Sequence, residues 1–495
     1  MIFQAIPTPE IDWVGLSPAL ASLAGAAVAL LGSVLVPVRA RRTTAAVFAG
    51  LGVLGTAVAA VYVFWKTPDA REIVGEAATR DRLAAMAQIV LGGVGLLSVF
   101  VAWSDRRDQE HVGEYYALLA AAVGGMAFMV QANNLMTLFL GLEWFSLCLY
   151  VLCAIDIDLE TSLESGLKYL IVGSFGSAVL LFGSALVFGA TQELGFAEIG
   201  EAGAGELKDD PMMVVGLAMV ITGLAFKASA APFHMWTPDV YQGSPTPVTA
   251  FMSAATKVVA LVVTLRVLNE AFPAQRDLWT AAIAGIAIAS LAVGNLAALV
   301  QRDVKRMLAY SSVSHAGFML IPIAAANELG AKALLYYFVP YCAASLGAFA
   351  VVAARERELA QRVTLDNLSG MGWERPFLGV AMWVFVLSFA GLPLTGGFFG
   401  KFYAFSAAVE ADWTWLVIAG VIATAISLYY YLAIIRAMYM RSDAELQLAP
   451  VGGAPMRDVG VGIGVAACLI VTVGSFFAVQ PLAELAERAA ASLPF

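Results

Sequence analysis

Residues 212–241 read MMVVGLAMVITGLAFKASAAPFHMWTPDVY, an apolar stretch interrupted by Lys227 and, five residues on, by Pro232. At 1.5 Å rise per residue it exceeds the ~20 residues that cross a hydrocarbon layer. Proline removes a backbone donor, so a helix here must break near Pro232. A second over-long stretch, 376–408, contains AGLPLTGGFFGK at 390–401, with Gly391, Pro393 and Gly396 leading to Lys401. Irregular backbone within a membrane is tolerated only where protein buries it or an aqueous cavity meets it. Each break has a lysine beside it.

The rest of the chain carries the same signature. Hydrophobic residues make up 60% of the 495 positions and charged residues 13%, with mean hydropathy +0.81. A soluble domain has about a quarter charged residues, so this composition belongs to an integral membrane protein. Fourteen spans are expected: 13–38, 43–65, 82–103, 114–131, 134–155, 164–190, 212–241, 246–269, 278–300, 306–326, 331–354, 376–408, 412–438 and 459–479. The fold class is an all-α polytopic membrane protein of about 14 transmembrane helices in one membrane domain, 1–495. The breaks fall in spans seven and twelve, five spans apart, so the two helices run in opposite directions. That is the sequence mark of inverted-topology repeats. The expectation is spans 1–3 at 13–103, a first five-helix repeat over about 114–269, a second over about 278–438, and a last span at 459–479.

The N-terminus lacks a basic region and bears Glu10 and Asp12, so the first apolar stretch reads as a retained span. Counting Lys and Arg on alternate loops gives about fourteen on one side, Arg106, Arg107, Arg441 and Arg457 among them, and about eight on the other. The richer side should be cytoplasmic, with both termini outside. The net charge of −9 argues against nucleic acid. Cys148, Cys153, Cys342 and Cys468 lie in apolar segments without a CxxC pair, and give no support for a metal, an iron–sulfur centre or a disulfide framework.

Six cations lie within the expected spans: Lys168, Lys227, Lys257, Arg266, Lys401 and Arg436. Glu143 is the acid among them. A charge in hydrocarbon costs at least ~3 kcal/mol unless partnered or wet, so such residues are functional candidates. Counting helical rise from the cytoplasmic ends puts Glu143, Lys227 and Lys257 at one level, roughly 16 to 21 Å deep, with His315 roughly 12 Å deep and Lys401 nearer the outer end. A desolvated lysine exchanges its proton near neutrality, and a carboxylate partner that comes and goes can switch it. The residues therefore suggest a proton path, with Glu143 and Lys227 as a pair and water bridging helices 8 to 10 Å apart. Plainer readings stand beside this one. Glu143 and Lys227 can be a static pair, and Lys168 can snorkel to the surface instead of tuning Glu143. Arg266 and Arg436, near span ends, read as interface anchors. His234 is either a cap of the broken helix or a relay member, and Asp239 caps its loop.

Four segments carry a family resemblance: GLEW at 141–144, KASAAPFHMWTPDVYQGSPTPVTAF at 227–251, RMLAYSSVSHAG at 306–317, and the run from Gly391 to Lys401. Together they resemble the antiporter-like proton-translocating subunits of respiratory complex I, most nearly the subunit N, or subunit 2, type. TPDVYQG at 237–243 is similar to that type, unlike the Leu-Pro-Asp-Ala form of the L and M types, and Lys401 stands where the M type has glutamate. With roughly 16 residues after the last span, the long lateral helix of the L type is not expected. The resemblance implies Glu143 and Lys227 as the coupled pair, Lys168 as modulator, Lys257 and His315 as relay, and Lys401 as terminal group. It implies no cofactor in this chain, with NADH, FMN, iron–sulfur clusters and quinone handled by partner subunits. The partners would be other complex I membrane subunits and, through them, the peripheral redox arm, in a bacterial plasma membrane. Alternatives are a subunit of a multi-subunit cation/proton antiporter, a ferredoxin- or hydrogenase-linked pump, and a stand-alone solute transporter.

Overall fold

The computed structural model describes residues 11–103, 111–440 and 458–495. Glu10, Arg106, Arg107, Arg441 and Arg457 lie outside the described residues. The chain is almost wholly helical: α1 (Trp13–Leu35), α2 (Val38–Lys66), α3 (Arg82–Trp103), α4 (Val112–Met129), α5 (Leu135–Cys153), α6 (Glu160–Thr191), α7 (Phe196–Ala202), α8 (Pro211–Lys227), α9 (Trp236–Gly243), α10 (Thr246–Glu270), α11 (Arg276–Leu299), α12 (Val304–Ala325), α13 (Glu328–Leu359), α14 (Met371–Glu374), α15 (Pro376–Ala390), α16 (Gly396–Glu410), α17 (Thr414–Tyr439), α18 (Val459–Phe477) and α19 (Val479–Ala490). Twelve described helices are long and apolar enough to cross a membrane, and α8 and α15 are shorter apolar helices. Each of those two opens an interrupted span, α8 with α9 and α15 with α16, so both expected breaks are present. The antiparallel hairpin β1 (Arg71–Ile73) and β2 (Ala78–Arg80), and α7 in the connection between α6 and α8, were not expected from the sequence.

Short polar side chains start the helices. Asp12, Asn134, Asp210, Asp303, Asn327 and Asp458 each accept backbone N–H groups at the head of a helix. Such caps are worth about 1 kcal/mol each, and they fix where apolar spans begin. Small residues then let helices close on one another, as expected where lipid supplies no hydrophobic drive. A Cβ on Gly25 of α1 would meet Gly52 Cα of α2 at 2.5 Å, so this crossing has room for backbone only.

The centre is α10, buried from Thr246 to Asn269 and in contact with α3, α8, α12 and α13. The next most enclosed helices are α12 and α13. Outward faces carry large apolar side chains, among them Leu35, Phe175, Tyr429 and Ile470, a surface suited to hydrocarbon.

Candidate functional site

Lys227 is the last residue of α8 and is buried. Its ammonium donates to Ser146 Oγ on α5 at 2.7 Å and to Tyr169 OH on α6 at 3.2 Å. The rings of Phe145, Tyr169 and Tyr150 lie 4.6, 5.1 and 5.8 Å from its Nζ. Ser146 uses its own proton on Leu142 O, one helical turn back, which leaves its lone pairs for the lysine. Hydroxyls and π faces hold this cation.

The expected contact with Glu143 is not made. Among the described residues no ion pair joins Glu143 to Lys227, and Glu143 Oε1 is buried without a hydrogen-bond partner. The reason is positional: the ammonium sits at Ser146, three residues further along α5. Glu143 remains on the same face of α5, one turn from Ser146.

Lys168 does not face Glu143. It is half-exposed, pairs with Glu164 at 2.7 Å and Asp239 at 3.2 Å, and so fits the snorkelling reading. Asp239 caps no helix; it sits between Lys168 and Arg306, whose Nη1 is 2.6 Å away. His234 is not a cap either, and its Nδ1 is buried without a partner.

The first break, residues 228–235, exposes the carbonyl end of α8, and Lys257 closes it. This fully buried lysine of α10 donates to Ala228 O at 2.8 Å. A cation at a helix C-terminus meets both unsatisfied carbonyls and the negative end of the helix dipole. The backbone of the break is held further by Ala230 N–H to Ala225 O and Ala231 N–H to Ser290 Oγ on α11, with Trp236 Nε1 donating to Phe226 O. The second break repeats the device with a different lysine. Buried Lys401 of α16 donates to Ala390 O at 3.4 Å and Thr424 Oγ1 of α17 at 3.2 Å, with Phe318's ring centroid 4.0 Å away.

His315 lies on α12, which packs against both α10, the helix of Lys257, and α16, the helix of Lys401. Its Nδ1 is 3.0 Å from Tyr337 OH and its Nε2 3.2 Å from Tyr431 OH. Tyr431 OH in turn lies 2.5 Å from Ser311 Oγ. Helices α8, α10, α12 and α16 touch in that order, so Lys227, Lys257, His315 and Lys401 are carried by a run of neighbours.

A further sequence expectation is overturned. Arg266 is no interface anchor: it is fully buried and pairs with Asp81 at 2.5 Å and Glu270 at 3.1 Å. A guanidinium near a span end can face inward when a carboxylate waits there, and Asp81 is 185 positions away in sequence. Arg436 is exposed, as an anchor should be. Ser146, Tyr169, Tyr337, Tyr431 and Thr424 were not singled out from sequence. Ser146 left one signal, its i+3 spacing from Glu143, which puts both on one helix face. Among the described residues no group of three or more His, Cys, Asp or Glu side chains is placed to hold a metal.

Comparison with known proteins bears on what the arrangement does. Residues 132–427 match the family described as NADH:quinone oxidoreductase/Mrp antiporter, TM. NADH-quinone oxidoreductase subunit N of Trichlorobacter lovleyi is 40% identical over 402 residues, covering 80% of this chain and 81% of that protein. NADH-quinone oxidoreductase subunit N 1 of Herpetosiphon aurantiacus is 41% identical over 76% of this chain and 78% of its own length. A chain of respiratory complex I from Thermus thermophilus with bound aureothin superposes with TM-score 0.79 at 31% identity, covering 95% of this chain and 99% of that one. A chain of the Mrp complex from a Dietzia species superposes at TM-score 0.82 with 22% identity, over 96% and 97% of the two chains, a likeness of fold alone.

Proposed function

The chain belongs to the NADH:quinone oxidoreductase/Mrp antiporter transmembrane family, and we propose that it is the proton-translocating subunit N of an NADH:quinone oxidoreductase. In this reading NADH oxidation and quinone reduction occur in partner subunits, which hold the FMN, iron–sulfur clusters and quinone. Other complex I membrane subunits are its immediate partners, and the peripheral arm acts through them. The chain is multi-pass in a bacterial plasma membrane, with its termini on the outer side, the orientation favoured by the Lys and Arg count.

The observation that carries the reading is the run of buried titratable groups across touching helices: Lys227, Lys257, His315 and Lys401. Two of them close the carbonyl ends of broken helices, the place where transporters hold a coupling cation. Glu143 and Lys227 act as the switch. Bringing a carboxylate to about 4 Å from an ammonium is worth ~4 kcal/mol at an effective dielectric constant of 20. Moving one charge through 100 mV costs about 2.3 kcal/mol, so making and breaking one such pair is of the right order to drive a proton outward. Lys257 and His315 pass the proton on and Lys401 is the terminal group. Lys168, held by Asp239 at the rim, acts on Glu143 only from a distance.

Two inverted repeats, spans four to eight and nine to thirteen, are part of this proposal. Ser146 stands twelve residues after the Asn134 cap, and His315 twelve after the Asp303 cap. Tyr169 and Tyr337 each stand ten residues after the cap position of the following helix, Leu159 and Asn327. Each tyrosine is joined to the same site as its partner on the preceding helix, Tyr169 through Lys227 and Tyr337 directly to His315.

The test is Lys227→Ala in the intact complex, reconstituted in liposomes and driven by NADH and quinone. Proton translocation should fall at least tenfold while the complex still assembles. An unchanged number of protons per electron overturns the relay.

A further inference from the structure

We propose that Phe145, Ser146, Tyr150 and Tyr169 form an aromatic and hydroxyl cage that receives the Lys227 ammonium whenever it is released from Glu143. This rests on the switching role given to that pair. The cage is built, since three rings and two hydroxyl oxygens converge on one nitrogen. Helix α6 is hollowed to admit it: a Cβ on Gly173 would stand 2.3 Å from Tyr150 OH, and one on Gly176 would stand 2.6 Å from the ring of Phe226, the residue before Lys227. Tyr169 is locked in place by Trp236 of α9, whose ring stacks on it with centroids 4.5 Å apart and planes 12° from parallel. The same Trp236 holds Phe226 O through Nε1. The cage wall is thereby tied to both sides of the first break.

The chemistry suits a waiting position. Ring faces and hydroxyl oxygens hold an ammonium by quadrupole and lone pair without adding a counter-charge. The lysine keeps its proton and remains free to be drawn back by Glu143. Three residues of helix separate Ser146 from Glu143, a rise of roughly 4.5 Å, which a four-carbon side chain covers by rotation about its own bonds. The Glu143 oxygen left unpartnered and buried is the other end of that swing. Ser146 and Tyr169 are positioning residues, since they act through Lys227.

The test uses the intact complex with Ser146→Ala and Tyr169→Phe combined. Translocation per electron should fall about tenfold, since two hydrogen bonds to a cation are lost. A single-particle structure of the variant should show Lys227 Nζ on the Glu143 carboxylate. Ser146→Thr keeps the hydroxyl and should translocate within twofold of the parent. Should the double variant fail to assemble, Tyr169→Phe alone, which keeps the ring stack, should give about a threefold loss. The cage is refuted if the double variant, or Tyr169→Phe in its place, translocates like the parent. It is equally refuted if Lys227 stays where it is, or if Ser146→Thr loses as much as Ser146→Ala. The relay itself stands or falls separately, on Lys227→Ala.

Discussion

The two broken helices solve the same problem with different numbers of lysines. At the first, Lys257 arrives from the neighbouring α10 to close the end of α8, and Lys227 is left over for the cage. At the second, Lys401 comes from the second half of its own broken helix and closes α15 itself, steadied by Thr424. The first break begins deep, with Ser229, Ala230 and Ala231 fully buried before Pro232 and Met235 reach the surface, whereas Leu392, Pro393 and Leu394 of the second are exposed. Where two lysines are present, one can move while the helix end stays capped. Where one is present, carrying a proton and holding the break are a single job.

This difference can be broken most directly at Lys401. Lys401→Gln should reduce translocation at least tenfold, because the amide cannot take up and release a proton, yet its N–H groups can still serve Ala390 O. Lys401→Ala should also lose translocation, and in addition leave that carbonyl unpaired, at about 1 to 3 kcal/mol. Its subunit should be lost from the heated complex about fivefold faster than that of Lys401→Gln, whereas Lys227→Ala should be kinetically robust. Equal heat sensitivity of Lys227→Ala and Lys401→Ala would remove the contrast.

A middle-sized effect sharpens the comparison through the backbone. In the second break a Cβ on Gly397 would lie 2.0 Å from Ser388 O, a contact that only a backbone shift can relieve. Gly397→Ala should therefore cost about 3 kcal/mol, by the measure of an overpacked interior. At the first break, Ser290→Ala removes the acceptor of Ala231 N–H, 2.8 Å away, at about 1 to 3 kcal/mol. Heat-induced loss of the subunit measures both, and the order Gly397→Ala before Ser290→Ala is the expected result.

The breaks were legible because they are local. Pro232, Gly391 and Pro393 interrupt apolar runs, and backbone chemistry gives them one meaning whatever surrounds them. The lysines were legible for a similar reason, since a charge in hydrocarbon demands an account by itself. What each lysine touches was not. Ser146, Tyr169 and Thr424 are ordinary residues in a helix, and only tertiary packing turns their hydroxyls inward. Arg266 shows the same limit from the other side. Its distance from a span end says how deep it lies and nothing about which way it points, so Asp81 could not be read as its partner.

Lys168 marks the smallest expected effect and the sharpest check on where the first break ends. Its ion pairs with Glu164 and Asp239 are all half-exposed, so together they are worth no more than about 1 kcal/mol, less at high salt. Asp239 keeps Arg306 when Lys168 is removed. Lys168→Ala should leave assembly intact and translocation within twofold. The family resemblance makes it a modulator of Glu143, and to act at close range the side chain would have to leave Asp239 and turn inward. A loss of tenfold, restored by Lys168→Arg, would mean that it makes this journey during turnover. The first break would then use three lysines to the second's one.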